Sequence, residues 1–312
     1  MKGLVVKSTG SWYQVRLSKE RIVRARLAGK IRLEGRKTTN PVVVGDWVEL
    51  EMENDQETGI ISFIEPRKNY IIRKSINLSK QSQILAANLD QALLICTLLF
   101  PRTSTGFIDR FLVTAEAYSI APVLIFNKKD VLEGELLEEQ FRLMDLYKKI
   151  GYSVFLVSSF EPSDISLVKT ILKDKTSLIA GHSGVGKSSL INASDSSIAQ
   201  KVGEISDVHF KGKHTTTFTE LFELEFGAFV IDSPGIKELG LVEMRKEEVG
   251  HYFPEIRTRM TECKFNNCLH VNEPGCAVLA ALEKEEIDEE RYHNYLSILN
   301  GEEMDWKQWE VK

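Results

Sequence analysis

Short runs of apolar and β-branched residues open the chain: Gly3–Val6, Trp12–Leu17, Val23–Leu27, Trp47–Leu50 and Gly59–Ile64. Thr9-Gly10, Ala28-Gly29 and Gly45-Asp46 separate them as turns. Several short strands in so small a unit predict a closed β-barrel of the OB type over residues 1–68, followed by a linker at 69–84. From Leu85 the pattern changes. Apolar strands at Ala92–Leu99, Val123–Phe126, Ser153–Val157 and Ser177–Ala180 alternate with helical stretches at Ile108–Tyr118 and Leu136–Ile150, the latter amphipathic. Such alternation predicts a parallel sheet covered by helices, here over residues 85–241. Residues 242–312 read as a small helical unit carrying a cysteine cluster, too short to be an independent enzyme domain.

A chain of 312 residues, 43% hydrophobic and 27% charged, has room for two or three domains with a buried core. No apolar stretch follows the first lysine, so Met1–Lys7 lacks a leader pattern. The longest apolar run, Ala92–Phe100, is too short to span a bilayer and reads as a buried strand. The expectation is a cytoplasmic protein without a membrane partner. The net charge of −5 argues against nucleic-acid binding by the chain as a whole, but the charges are uneven. Arg16, Lys19, Arg21, Arg24, Arg26, Lys30, Arg32, Arg36 and Lys37 make the early chain basic, while Glu283–Glu290 is acidic. That asymmetry suggests a local surface facing a polyanion.

The strand ends carry the chemistry. Gly181-His182-Ser183-Gly184-Val185-Gly186-Lys187-Ser188, with Ser189 next, has the spacing of a phosphate-binding loop. Its glycines let backbone N–H groups turn inward around phosphate oxygens. Lys187 would reach the β- and γ-phosphates, and the Ser188 hydroxyl would bind Mg²⁺. Upstream, Asn127-Lys128-Lys129-Asp130 closes a strand. The Asp130 carboxylate can accept from the ring and exocyclic N–H groups of guanine, a donor pair that adenine lacks. Asn127 would support the loop, and the Lys128 stem would pack on the base. Ser158-Ser159 ends the next strand as a second base-contacting loop.

Asp232-Ser233-Pro234-Gly235 follows an apolar strand, so Asp232 would hold the Mg²⁺ shell through water and Gly235 would meet the γ-phosphate. In Gly212-Lys213-His214-Thr215-Thr216-Thr217, a threonine would complete the metal shell; Thr216 is favoured, with Thr215 and Thr217 open. Many switch GTPases place a water-orienting glutamine after Asp-x-x-Gly. Here Ile236 stands there, and His214 is the expected replacement. The base-reading loop precedes the phosphate loop, the reverse of most guanine-nucleotide switches, which points to a circularly permuted GTPase. An ATPase using the phosphate loop alone fits Asp130 poorly.

Cys263, Cys268, His270 and Cys276 follow the spacing Cys-x4-Cys-x-His-x5-Cys, a tetrahedral zinc set with no open position and therefore structural. Cys96 lies in an apolar run and reads as core. The cysteine segment lacks a basic reading helix, which argues against a DNA-binding zinc protein.

Taken together, the β-rich start, the permuted motif order, Gly-Lys-His-Thr-Thr-Thr, Asp-Ser-Pro-Gly and the Cys-Cys-His-Cys tail resemble the small ribosomal subunit-dependent GTPases of the RsgA/YjeQ type. The resemblance covers nearly the whole chain. It implies a monomeric bacterial factor in late maturation of the small subunit, in contact with its 16S rRNA. It further implies slow GTP hydrolysis stimulated by that subunit, with His214 as a catalytic residue beside Lys187 and Thr216. The rival reading is a GTP-sensing RNA-binding module whose hydrolysis is incidental.

Overall fold

The computed structural model describes residues 1–29, 41–53, 57–74, 82–197, 220–232 and 244–301. Its strands include a closed barrel of order β1-β2-β3-β5-β4 and a six-stranded sheet of order β10-β9-β8-β11-β13-β12. Two compact units are distinguished: residues 1–92, 162–180 and 187–242, and residues 93–161, 181–186 and 243–312.

In the first unit, β1 (Lys2–Ser8), β2 (Tyr13–Ser18), β3 (Arg21–Leu27), β4 (Trp47–Met52) and β5 (Thr58–Ile64) form the barrel. Their period-2 alternation is the cause. Val5, Val15, Val23, Ala25, Val48, Leu50 and Ile61 point inward, and Arg24 and Arg26 point out of β3. A parallel pairing of β3 with β5 closes the ring, with Arg24 opposite Thr58 and Leu27 opposite Ile61. Asp46, fully buried, accepts from Arg67 Nε at 2.6 Å and Nη2 at 2.7 Å, and from the Val43 N–H at 2.8 Å. That charge-assisted fork fixes the turn leading into β4.

The segment read as a linker holds β6 (Tyr70–Lys74), which pairs antiparallel with β7 (Ser82–Ala87). The same unit contains helix α3 (Pro162–Leu172), β11 (Thr176–Ala180), helix α4 (Lys187–Ser194), β12 (Leu221–Glu223) and β13 (Phe229–Asp232). β11 and β13 run parallel, placing Ile179 opposite Asp232, and β12 is antiparallel to β13 at the sheet edge. Thus the predicted parallel sheet is mixed, with one antiparallel edge strand. Arg16 and Lys7 of the barrel pair with Glu223 and Glu220 at 2.6 and 2.7 Å.

β8 spans Gln91–Cys96, three residues short of the predicted end at Leu99. The reason lies in the second unit. The Thr97 N–H donates to Thr103 Oγ1 at 3.1 Å and the Thr103 N–H returns to the Thr97 carbonyl at 2.8 Å, so Thr97–Thr103 closes as a loop. Ser104 then caps helix α1 (Thr105–Ala117) by accepting from the Phe107 N–H. β9 (Ala121–Phe126), helix α2 (Gly134–Ile150) and β10 (Ser153–Leu156) follow, and β9 and β10 are parallel. The remainder is helical: α5 (Lys246–Val249), α6 (Pro254–Arg257), α7 (Ala277–Glu283) and α8 (Glu289–Leu299). No helix among the described residues is long and apolar enough to cross a membrane.

A buried ionic cluster joins α8 to α1. Arg291, 2% exposed, donates to Asp109 Oδ1 at 2.5 Å and to the Glu255 carboxylate, and its guanidinium lies 4.9 Å from the centre of the Phe253 ring. Asp109 also accepts from Tyr147 Oη at 2.8 Å and Asn294 Nδ2 at 2.7 Å. Burial raises the Asp109 pKa, against the pull of Arg291 and the two hydrogen bonds. Each charge in the cluster is intelligible only with its partners present.

Candidate nucleotide site and metal centre

Parallel strands release their loops at one edge, and the sequence places polar residues there. β9 ends at Phe126, and Asn127 follows, 2% exposed. Its Nδ2 donates to the Val185 carbonyl at 2.9 Å, which fastens the predicted base loop to the phosphate loop. Its Oδ1 is buried with no hydrogen-bond partner among the described residues, an acceptor that costs stability until something donates to it. Lys128 is left-handed at φ 66°, a conformation that asparagine-like turns favour and lysine does not. The turn directs its ammonium to the Phe100 carbonyl and starts a short 3₁₀ helix over Lys129–Val131.

Asp130 and Lys129 meet the loop after β10. The Ser158 hydroxyl donates to Asp130 Oδ1 at 2.6 Å, and the Lys129 N–H donates to the Val157 carbonyl at 3.1 Å. Ser158 is fully buried, whereas Ser159 is half-buried. The serine that sequence reasoning treated as a base contact therefore also orients the carboxylate.

Glycine is required twice in the phosphate loop. Gly181 has φ +144°, and a Cβ there would lie 2.3 Å from the Ile95 carbonyl oxygen. Gly186 has φ +93°, and its Cβ would lie 2.3 Å from Asn127 Nδ2. Between them Val185 is buried, while Ser183 and Gly184 are exposed. The His182 ring packs on Phe107 of α1 with centroids 4.1 Å apart. Lys187 opens α4, with Ser188 and Ser189 exposed in its first turn. A positive-φ loop running into a helix start fits an anionic group such as a phosphate, whereas the buried Asn127 oxygen beside it would accept from a donor.

Asp232 is the last residue of β13, whereas the sequence placed it just after the strand. His214, Thr215, Thr216, Thr217, Gly235 and Ile236 lie outside the described residues.

The four predicted metal ligands come together in the second unit: Cys263 Sγ, Cys268 Sγ, His270 Nδ1 and Cys276 Sγ all lie within 4.8 Å of one another. Zinc bonds of ordinary length place tetrahedral ligand atoms roughly 3.8 Å apart for two thiolates and roughly 3.6 Å for thiolate and imidazole. Here Cys263 Sγ is 4.0 Å from Cys276 Sγ and 3.6 Å from His270 Nδ1, and His270 Nδ1 is 3.4 Å from Cys276 Sγ. The set fits zinc. Burial pushes the Cys268 thiol up to about 12, raises that of Cys276 and lowers the His270 pKa, so each of these three favours its neutral form. A dication reverses that preference for the thiols.

Sequence reasoning missed the residues that shape this loop. Glu273 accepts from the Leu269, Val271 and Asn272 N–H groups at 2.7, 2.8 and 3.1 Å. Burial opposes its charge, but these backbone donors prevail and hold its pKa at about 2. From α8, Tyr292 and Tyr295 donate to the His270 and Leu269 carbonyls at 2.6 and 2.7 Å. A glutamate inside a Cys/His loop was the only signal available for the first; the tyrosines are too distant in sequence to have given one.

The predicted base loop, hydrogen-bonded to the predicted phosphate loop that follows it in sequence, is the arrangement expected of a P-loop GTPase of permuted order. The RsgA GTPase family profile matches residues 64–242, and the RsgA N-terminal domain profile matches residues 2–61. The chain belongs to the RsgA GTPase family. It is 50% identical over 305 residues to the Small ribosomal subunit biogenesis GTPase RsgA of Flavobacterium johnsoniae, covering 97% of this chain and 94% of that protein. With the Phocaeicola vulgatus protein of the same name it shares 52% over 303 residues, 97% of each chain. The crystal structure of YjeQ from Thermotoga maritima superposes with a TM-score of 0.79 at 33% identity, covering 96% of this chain and 97% of that one. YloQ, described as a circularly permuted GTPase, gives 0.74 at 32% identity, covering 96% and 94%.

Proposed function

We propose that this chain acts in biogenesis of the small ribosomal subunit, hydrolysing GTP slowly alone and faster on that subunit. The observation that carries the nucleotide half is Asn127, whose amide ties the base-reading and phosphate loops while its oxygen stays unsatisfied. The ribosomal half rests on relatives named for small-subunit biogenesis that match almost end to end.

In this reading Asp130, oriented by Ser158, accepts from the two N–H groups of guanine. Backbone N–H groups from Gly181 to Ser189 enclose the phosphates, and Lys187 neutralises the β- and γ-oxygens. Ser188 and Thr216 would ligate Mg²⁺ directly, with Asp232 acting through water. A magnesium ion held by these residues would supply positive charge to offset the charge that develops on the phosphate oxygens. His214 orients the attacking water for in-line displacement at the γ-phosphorus, and the Gly235 N–H senses the γ-phosphate. Turnover of the protein alone is slow, and the partner raises it.

The barrel supplies a surface suited to RNA. The Arg24 guanidinium lies 4.9 Å from the Trp12 ring centre, and the Lys2 ammonium 5.2 Å from that of Trp47. Both rings are partly exposed, at 38% and 40%. Cations on exposed aromatic faces can meet phosphates and stack on unpaired bases. The small subunit's 16S rRNA is the proposed partner, and the protein is proposed to act on it in the cytoplasm as a monomer.

The test is GTP hydrolysis with and without purified small subunits, using large subunits as control. Stimulation by the small subunit alone, lost in His214→Ala, is the expected result. Unchanged turnover, with GTP still tightly bound, would leave a nucleotide-sensing module instead.

A further inference from the structure

Phe160 is 80% exposed, the most exposed large apolar side chain among the described residues. Its backbone is nevertheless fixed. The Phe160 N–H donates to Ser158 Oγ at 3.2 Å, and the Glu161 N–H donates to the Ser158 carbonyl at 3.2 Å, forming a tight turn. Ser158 Oγ is the same atom that donates to Asp130 Oδ1 at 2.6 Å. One buried hydroxyl thus sets both the carboxylate that reads the base edge and the residue that carries the exposed ring. Among the described residues Phe160 makes no aromatic pair of its own.

A planar base held by its edge at Asp130 has two faces to cover. The Lys128 stem suits one, because the left-handed turn at Lys128 and its ammonium's bond to the Phe100 carbonyl fix that side chain at both ends. We infer that Phe160 covers the other face, stacking on the guanine ring and setting nucleotide affinity as a positioning residue. This rests on the assignment of Asp130 to guanine. An exposed phenyl ring on a turn clamped to the base-reading carboxylate is thereby explained: the surface left open without nucleotide is buried when the base arrives. Stacking of a base on an aromatic ring tolerates any purine, so Phe160 contributes affinity, and Asp130 contributes the choice of base.

The test measures equilibrium binding of GDP, IDP and ADP to the full chain and to Phe160→Ala, Phe160→Tyr and Phe160→Trp. Phe160→Ala is expected to weaken GDP and IDP by a similar factor, about tenfold. Phe160→Tyr should restore parental affinity, and KM for GTP should rise in Phe160→Ala while kcat is kept. In Phe160→Trp, GDP should change the fluorescence of the introduced indole. Unchanged GDP affinity in Phe160→Ala overturns the inference, as does silent indole fluorescence. Reduced small-subunit affinity with unchanged GDP affinity also overturns it, and assigns the ring to the subunit. If the parent binds ADP as tightly as GDP, the guanine assignment itself fails, and the inference with it.

Discussion

The nucleotide loops and the cysteine loop are both shaped by polar side chains gripping backbone, yet they differ in what each leaves unsatisfied. At the nucleotide site, Asn127 holds the Val185 carbonyl and Ser158 holds Asp130, and one amide oxygen is left over. Among the described residues that oxygen has no donor, and Gly181 and Gly186 keep space that any Cβ would fill. At the cysteine loop, Glu273, Tyr292 and Tyr295 satisfy the surrounding backbone. What remains is the Cys268 and Cys276 thiols, whose ionisation burial disfavours, and the buried His270 Nε2, which has no hydrogen-bond partner among the described residues. A loop that cycles its ligand tolerates vacancy at small cost, whereas a loop that depends on a resident cation does not.

That contrast can be broken first at the metal. Chelation, or Cys276→Ser, should expose residues 254–301 to proteolysis, because structural zinc supplies roughly 10 kcal/mol of folding free energy in small sites. GDP binding should survive the same treatment. Retained protease resistance after verified metal loss would mean that Glu273 and the tyrosines suffice.

The next effect in size belongs to the buried charges that fasten α8 to α1. Arg291→Met leaves Asp109 and Glu255 uncompensated and should destabilise the unit by roughly 3–5 kcal/mol. Adding Asp109→Asn to that variant should recover part of the loss, since burial already disfavours the Asp109 charge. Calorimetric unfolding of the single and double variants measures this; strict additivity would show that the two residues do not act as a pair.

A smaller and more local effect is expected at the joint between loops. Asn127→Ala removes the donor to Val185 and leaves that carbonyl buried, a cost of about 1–3 kcal/mol. It should appear mainly as weaker GDP binding, from about fivefold upward. A shift in thermal midpoint with unchanged GDP affinity would assign Asn127 to the scaffold alone.

The motifs made the site largely legible beforehand. Gly181 to Ser188, Asn127 to Asp130 and the four metal ligands are local strings whose spacing carries their chemistry, and the first two meet through the Asn127–Val185 hydrogen bond. The barrel was equally legible, because β3 alternates inward Val23 and Ala25 with outward arginines. Legibility failed where residues distant in sequence decide the outcome. Arg291 meets Asp109 across 182 positions, and Tyr295 reaches Leu269 across 26. The end of β8 was misjudged for a related reason: Leu98 is buried, as a strand residue would be, but the Thr97–Thr103 hydrogen bonds turn the chain away.

The most direct measurement compares GDP and XDP binding by the parent protein and by Asp130→Asn. Ser158 donates to Oδ1, so an asparagine would keep its oxygen there and present its NH₂ group in place of Oδ2. Guanine offers a donor at that place and xanthine an acceptor. The parent is expected to prefer GDP strongly, and the variant to prefer XDP with affinity near the parent's for GDP. Equal loss of both nucleotides, or a parent indifferent between them, would contradict Asp130 as the reader of the base.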